Sequence, residues 1–208
     1  MIENLFEFLH RDILATSWLE IIAVSFGILS VWFARKANIL VYPTGIVSVL
    51  IYVYICFFAK LYAHMSINMF YFAMSVYGWY NWTRKDENQK VIPISWNTPK
   101  QQWVAILAVI TGYAVIFALI WIFKHDDLSY IRSFVPFVDS FTSAVFLVGM
   151  LLMARKKIEN WLYWIIGNSV SIPLYFSLGL VMTSVQYIVF LGLAVLGYYE
   201  WRKLYRKQ

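Results

Sequence analysis

Gly78-Trp79-Tyr80-Asn81-Trp82 is followed in this chain by Thr83-Arg84-Lys85, and a similar stretch, Gly197-Tyr198-Tyr199-Glu200-Trp201, is followed by Arg202-Lys203. The two stretches lie 119 residues apart. A further pair, Ala34-Arg35-Lys36 and Ala154-Arg155-Lys156, recurs at a spacing of 120. Repeats at nearly the same spacing in an apolar chain are typical of a transporter built from two like bundles, with the substrate handled between them. The alternative is that aromatic-rich membrane ends resemble each other by chance.

The composition places the chain in a membrane. Hydrophobic residues make up 62% of the 208 residues and charged residues only 13%, about half the charge of a soluble domain. The net charge of +6 does not indicate nucleic-acid binding, because the basic residues lie at helix ends. Cys56 is the single cysteine, and the three histidines have no metal-ligand spacing. The sequence therefore predicts neither a cofactor nor a metal site.

The apolar segments predict an all-α integral membrane protein with seven transmembrane helices. Segments of about 17 to 25 apolar residues can cross a bilayer. The predicted spans are Trp18–Ala34, Ile39–Phe58, Met65–Trp82, Trp103–Phe123, Asp139–Ala154, Trp161–Leu178 and Ser184–Trp201. They form two three-helix bundles, residues 15–82 and 139–201, joined by a cytoplasmic linker (83–102), a bridging helix (103–123) and an outer loop (124–138). Residues 1–14 are predicted to form an interfacial amphipathic helix, and residues 202–208 a basic cytoplasmic tail.

The distribution of Lys and Arg predicts the orientation. With the N-terminus outside, 13 of the 17 basic residues fall in cytoplasmic segments and 4 outside, as the positive-inside rule requires. The odd number of helices between the bundles gives both the same direction. We therefore predict a parallel 3+1+3 repeat, N-out and C-in.

The sequence argues against two functional classes. A retinal protein needs a lysine in the last span, and residues 184–200 contain none. A membrane enzyme needs a nucleophile and base, or metal ligands, at one depth, and no such set of residues is evident. We therefore predict that the protein is not an enzyme.

Polar and aromatic residues inside the apolar segments are the candidate substrate site. Buried amides need hydrogen-bond partners in a membrane, so they either connect helices or face a polar cavity. Asn68 and Gln186 stand at similar places in spans three and seven, and Asn168 lies in the middle of span six. The candidate substrate-binding residues are Asn68, Tyr71, Asn160, Trp161, Trp164, Asn168, Tyr175 and Gln186.

Two carboxylates lie at the outer ends of spans one and five, again 119 residues apart. Glu20 and Asp139 are predicted to stabilise the N-termini of their helices or to form a negative outer mouth that attracts cations. A cationic planar ring could also stack on the aromatic side chains of the candidate site.

These residues resemble a known family. Ser17-Trp18-Leu19-Glu20, Tyr77-Gly78-Trp79-Tyr80 with Trp82, Pro136-Phe137-x-Asp139-Ser140 and Asn160-Trp161-x-x-Trp164-x-x-x-Asn168 are similar to motifs of the PnuC-type vitamin transporters. These are bacterial inner-membrane carriers of nicotinamide riboside, with relatives that carry thiamine. The resemblance covers roughly residues 18–201 and implies a fold like that of the SWEET sugar transporters.

The resemblance also implies a function. It implies import of nicotinamide riboside across the inner membrane by facilitated diffusion, with alternating access and trapping by a cytoplasmic kinase that phosphorylates the substrate. The expected partners are a small cationic vitamin or nucleoside, the lipid bilayer and that kinase, and no nucleic acid. A thiamine transporter and a non-transporting seven-helix receptor or sensor stay open as alternatives. The sequence also leaves open whether the chain forms a homo-oligomer and whether Pro43 and Pro173 act as hinges.

Overall fold

The computed structural model describes residues 18–60, 62–85, 91–124 and 127–208. The predicted N-terminal amphipathic helix and linker residues 86–90 lie outside these ranges. Within them the chain is helical apart from turns, the interbundle linker and isolated bridges. The helices are α1 (Trp18–Arg35), α2 (Val41–Phe58), α3 (Tyr62–Thr83), α4 (Pro99–Lys124), α5 (Leu128–Ile131), α6 (Val135–Ala154), α7 (Asn160–Ser177) and α8 (Val181–Tyr205).

Four helices are long and apolar enough to cross a membrane by length and composition, namely α1, α2, α4 and α6. α3, α7 and α8 are also long, but their polar residues lower their hydropathy: α3 carries Asn68, α7 carries Asn168, and α8 ends in charged residues. The protein is therefore an all-α protein with several membrane-crossing helices.

α6 begins four residues before the predicted start of span five. Pro136 lies in its first turn, where the missing N–H of proline leaves no helical hydrogen bond unmade. The predicted outer loop ends earlier for this reason, and it also contains the short helix α5. Asp127 begins α5, because its carboxylate accepts a hydrogen bond from the backbone N–H of Tyr130 at 3.1 Å. The pKa of Asp127 is lowered mainly by a hydrogen bond from Ser129.

The two halves of the chain follow each other with a constant offset of 119 residues. The bounds of α2, residues 41–58, correspond to those of α7, residues 160–177. α3 begins at 62 and α8 at 181, while α1 ends at 35 and α6 at 154. Even the backbone conformations with positive φ are paired, Ala37 with Lys156 and Lys60 with Gly179. The turns of both halves are therefore built to the same plan.

The long helices of the two halves close a ring. α1 packs on α2 and α2 on α3; likewise α6 packs on α7 and α7 on α8. The halves meet through α1 against α8 and α3 against α6, two contacts that the offset interchanges. α4 lies outside the ring, where it packs on α6 and α5.

The repeated Gly and Trp have a packing role at this junction. A Cβ on Gly197 would lie 2.6 Å from the ring of Trp161, and a Cβ on Gly78 would overlap the ring of Tyr42. Each glycine therefore admits an aromatic ring from the preceding helix. The tryptophan four residues later packs edge-on against that ring, Trp82 on Tyr42 at 5.1 Å and Trp201 on Trp161 at 5.6 Å between centroids.

The same tryptophans connect the halves through reciprocal hydrogen bonds. Trp82 Nε1 donates to the carbonyl of Met153 at 3.2 Å, and Trp201 Nε1 donates to the carbonyl of Ala34 at 2.9 Å. The residue before each tryptophan also crosses the junction. Asn81 Nδ2 donates to the Ala154 carbonyl at 2.9 Å. Glu200 forms an ion pair with the buried Arg35 at 3.3 Å.

The interbundle linker is fixed to the turn between α6 and α7. Ser95 N–H donates to the carbonyl of Lys156, Ile158 N–H donates to the carbonyl of Ser95, and the N–H of Asn97 donates to the Glu159 carboxylate at 2.7 Å. Lys156 Nζ donates to the carbonyl of Ile92 at 3.0 Å, and burial lowers the pKa of this lysine. The described part of the linker is thus held by hydrogen bonds against the turn between α6 and α7.

Candidate functional site

One face of α7 is directed toward the inside of the ring. Trp164, Asn168, Ser171 and Tyr175 are spaced by four, three and four residues, which places them on one side of a helix. Asn168 is only 2% exposed, and Ser171 is fully buried. The other side of this helix is different, because Ser169 and Ile166 are exposed.

Two polar side chains on this face are buried. The Ser171 hydroxyl has no hydrogen-bond partner, and a buried polar group without a partner costs about 1–3 kcal/mol. The Asn168 side chain lies one turn earlier on the same face and is only 2% exposed. A face that carries an amide and an unpartnered hydroxyl is suited to a ligand with polar edges.

Beside these polar groups, four aromatic rings form a stack across α6, α7 and α8. Phe146 stacks on Trp164 at 5.3 Å and on Tyr187 at 6.1 Å, with interplanar angles of 28° and 10°. Tyr187 stacks in turn on Tyr175 at 5.1 Å and 12°. Gly167 leaves the space for Phe146, since a Cβ there would overlap its ring. A flat ligand ring can stack on aromatic faces of this kind.

Tyr71 and Asp139 extend the site to the facing helices. Tyr71 on α3 lies near Tyr175 on α7 and Tyr187 on α8. Among the described residues α3 and α7 have no backbone contact, so these tyrosines approach each other across the inside of the ring. Asp139 on α6 lies near both Tyr175 and Tyr187.

Asp139 does not stabilise the end of its helix. α6 begins at Val135, so the carboxylate lies beyond the first turn, which contains no acidic residue. Of the two readings for the outer carboxylates, helix-end stabilisation is therefore wrong for Asp139. Glu20 does lie in the first turn of α1, and it interacts electrostatically with Tyr52.

Asn160 and Trp161 do not lie beside the aromatic stack. Trp161 packs in the junction core against Trp201, and the fully buried Asn160 donates to the carbonyl of Lys157. Asn160 is eight residues before Asn168, about 12 Å along the helix axis. The structure thus places the first Asn and Trp of the motif in the packing of the junction and Trp164 and Asn168 beside the aromatic stack.

The equivalence between Asn68 and Gln186 is wrong by one residue. The offset of 119 pairs Asn68 with Tyr187 and Gln186 with Ile67. Asn68 Nδ2 donates to the carbonyl of His64 in its own helix at 2.9 Å, and Gln186 is half-buried.

The sequence reasoning did not select Phe146, Ser171 or Tyr187 as members of the site. The helix register contains a signal for both aromatic residues. Positions 146, 164 and 187 correspond to Gly27, Gly45 and Asn68 in the first half. The second half is therefore aromatic where the first half is small or polar. The helices of the two halves are arranged symmetrically, but the residues that line the inside of the ring differ between the halves.

The first half uses this small-residue surface for close helix packing. A Cβ on Gly45 would lie 2.9 Å from the Ser30 hydroxyl, and one on Gly27 would lie 3.2 Å from that of Ser48. Both hydroxyls already donate to backbone carbonyls, Ser30 to Val41 and Ser48 to Ala23. No group of three His, Cys, Asp or Glu side chains with metal-binding geometry occurs among the described residues.

Comparison with known proteins identifies the family. The profile described as Nicotinamide mononucleotide transporter matches residues 17–203. The Nicotinamide riboside transporter PnuC of Escherichia coli strain K12 is 30% identical over 203 residues, which cover 89% of this chain and 85% of that protein. The chain belongs to this family. The resemblance inferred from the sequence is confirmed, and the protein is a multi-pass protein of the bacterial inner membrane.

Two further comparisons extend this assignment. The crystal structure of the Vitamin B3 transporter PnuC matches with a TM-score of 0.68 and 27% identity, covering 98% of this chain and 90% of that one. A more distant relative, the Riboflavin/roseoflavin transporter RibM of Streptomyces davaonensis, is 22% identical over 88% of this chain and 84% of its own length. Proteins similar to this chain are thus named for different substrates.

Proposed function

We propose that this member of the PnuC family imports nicotinamide riboside across the bacterial inner membrane. The observation that carries the proposal is the unpartnered buried hydroxyl of Ser171 and the buried amide of Asn168, beside the stack of Phe146, Trp164 and Tyr187. Nicotinamide riboside combines a flat cationic ring with an amide and ribose hydroxyls. The nicotinamide ring would stack on the aromatic side chains. The amide and the ribose hydroxyls of the ligand would form hydrogen bonds with the Asn168 amide and the Ser171 hydroxyl.

The substrate-binding residues that we assign are Trp164, Asn168 and Tyr175 on α7, with Tyr71 from the facing half. Asn68 and Gln186 are placed at the edge of the site. Asp139 offsets the positive charge of the pyridinium ring, and Glu20 contributes to a negative outer mouth. Asn160 and Trp161 act indirectly, by fixing the start of α7.

The family description names the mononucleotide, whereas the E. coli relative is named for the riboside. We favour the riboside because a phosphate needs a cationic or multiply donating partner in a buried site. The residues that we assign include no Lys or Arg, and Asp139 would repel the phosphate.

We propose seven spans in a parallel 3+1+3 arrangement, N-out and C-in. The ring of α1 to α3 and α6 to α8, with α4 outside it, supports this arrangement. The split of 13 to 4 basic residues supports the orientation. The junction built from Trp82 and Trp201 then lies at the cytoplasmic end.

The mechanism that we propose is facilitated diffusion with alternating access, followed by trapping through a cytoplasmic kinase. The two like halves would rock about the site between them. Pro173 lies inside α7 and leaves the carbonyl of Ser169 without its helical partner, so this residue is a suitable hinge. Pro43 is less suitable, because it lies in the first turn of α2.

Two other substrates and one other class of protein are the alternatives to this proposal. Thiamine carries a cationic thiazolium ring that an aromatic stack would also accept, and riboflavin is suggested by the relative RibM. A receptor or sensor would bind the same ligand without moving it.

Counterflow in proteoliposomes tests the proposal. Vesicles preloaded with unlabelled nicotinamide riboside should take up the labelled compound without a proton or sodium gradient. Excess nicotinamide mononucleotide should not compete. Exchange only with thiamine or riboflavin would overturn the substrate, accumulation that requires an imposed gradient would overturn the diffusion mechanism, and binding without exchange would indicate a receptor.

A further inference from the structure

A cavity lies outside the ring, between the bridging helix α4 and α6. It has a volume of about 210 Å³, and its apolar walls include Val104, Ala108, Val148 and Leu152. It extends from Lys100 to Ala108 along α4, about 12 Å at 1.5 Å per residue. Among the described residues, no helix packs on the outside of α1 in the way that α4 packs on α6.

One end of this groove is cationic. Lys100 from α4 and Arg155 and Lys157 from the turn after α6 line it, and no acidic residue does. Lys157 Nζ already donates to the Ser95 hydroxyl and the Trp96 carbonyl. Lys100 and Arg155 are exposed, and neither forms an ion pair with any residue in the described ranges. Two unpaired cations therefore stand at the mouth of an apolar groove.

The position of Trp103 relates this mouth to the membrane surface. Trp103 is 66% exposed one turn after the start of α4, and the rest of the helix is strongly apolar. Tryptophan in such a place is typical of the boundary between lipid headgroups and acyl chains. Lys100 then lies at headgroup depth, and Val104 and Ala108 at acyl-chain depth.

We propose that the groove between α4 and α6 binds one anionic phospholipid. The phosphate lies between Lys100 and Arg155, and the first part of an acyl chain lies along the apolar walls. Charge complementarity favours this occupant over a zwitterionic lipid, and the apolar walls favour it over a soluble phosphate. The lipid would occupy the groove beside the turn to which the interbundle linker is fixed.

Binding of defined lipids to the purified full-length protein in detergent, followed by native mass spectrometry, tests this assignment. Phosphatidylglycerol should bind about tenfold more tightly than phosphatidylcholine with the same acyl chains. The double variant Lys100→Gln/Arg155→Gln should lose most of this preference, since both charge-assisted contacts are removed. Lys157 is left unchanged because its linker contacts would confuse the result.

The matched control is Lys203→Gln/Arg206→Gln, which removes the same charge from exposed positions outside the groove and should keep the preference. Glycerol 3-phosphate, which has the headgroup chemistry but no acyl chain, should not compete. Equal binding of the two lipids, an unchanged preference in the first variant or an equal loss in the control would overturn the proposal. Competition by glycerol 3-phosphate at the affinity of the lipid would assign the groove to a soluble phosphate instead.

Discussion

Trp82 and Trp201 meet where the two halves of the protein join, with ring centroids 5.8 Å apart and planes inclined by 53°. Each indole donates to a backbone carbonyl of the opposite half, at Met153 and Ala34. The donors are related by 119 residues, and so are the acceptors. The two copies of the sequence repeat therefore form the two sides of one symmetric junction.

Replacement of either indole by phenylalanine should destabilise the protein. Trp82→Phe and Trp201→Phe each remove one of two hydrogen bonds to a buried carbonyl, because Met153 and Ala34 also accept from the backbone N–H of Lys156 and Ala37. The loss of one such hydrogen bond costs about 0.5–1.5 kcal/mol. Because the two rings are in contact, the double variant should differ from the sum of the single variants. Unfolding in detergent micelles, followed by circular dichroism, measures the change. Trp103→Phe, at an exposed position, is the control, and an equal cost there would argue against the junction.

The glycines of the repeat should tolerate no side chain. Gly197→Ala and Gly78→Ala bring a Cβ into the rings of Trp161 and Tyr42, and overpacking of this kind costs about 1–3 kcal/mol. Gly192 is a matched control in the same helix as Gly197, since a Cβ there meets nothing within 4 Å. Gly192→Ala should be neutral or stabilising, because alanine is the better helix former. Similar thermal unfolding of all three variants would refute this packing role.

The paired left-handed turns permit a stabilising substitution. Lys60 has a φ of 57°, and Gly179 holds the equivalent place in the second half with a φ of 76°. A residue with a Cβ pays about 1 kcal/mol in this conformation, and glycine does not. Lys60→Gly should therefore raise the unfolding temperature and Gly179→Ala should lower it. Shifts of the same sign for the two variants would contradict the equivalence of the turns.

The helices and the junction between the halves could be predicted from the sequence more fully than the residues that line the inside of the ring. Glycine and tryptophan recur at the junction because close packing of rings permits few other residues, so Gly78 and Gly197 are visible as a repeat. The inside of the ring has no such constraint, since it must fit an asymmetric ligand. Phe146 corresponds to Gly27 in the first half, so it is visible only as a departure from the repeat.

Two errors of register have simple causes. Ser66-Ile67-Asn68 resembles Ser184-Val185-Gln186 when each is read alone, but this alignment uses an offset of 118, and the helix bounds require 119. The predicted start of span five lies four residues after the start of α6, because proline is suited to the first turn of a helix as well as to the end of a loop.

Substrate affinity should depend on the inner face of α7 and not on its outer face. Asn168→Ala and Trp164→Ala should each weaken binding of nicotinamide riboside by about 1–3 kcal/mol, roughly fivefold to 150-fold, through loss of a hydrogen bond or a stacking contact. Ser169→Ala, next to Asn168 but exposed, should change the affinity by less than about twofold. Calorimetry on the purified, folded variants measures the affinities. Wild-type affinity in both inner-face variants would remove these residues from the site.

Asp139 should distinguish charged from neutral ligands. At roughly 8 Å and an effective dielectric constant of about 20, a carboxylate attracts a unit positive charge by about 2 kcal/mol. Asp139→Asn should therefore weaken binding of the cationic nicotinamide riboside by about tenfold to thirtyfold. Reduced dihydronicotinamide riboside has nearly the same shape and no ring charge, so its affinity should change by less than about threefold. An equal loss for both ligands would show that Asp139 supports the structure of α6 and does not act on the charge of the substrate.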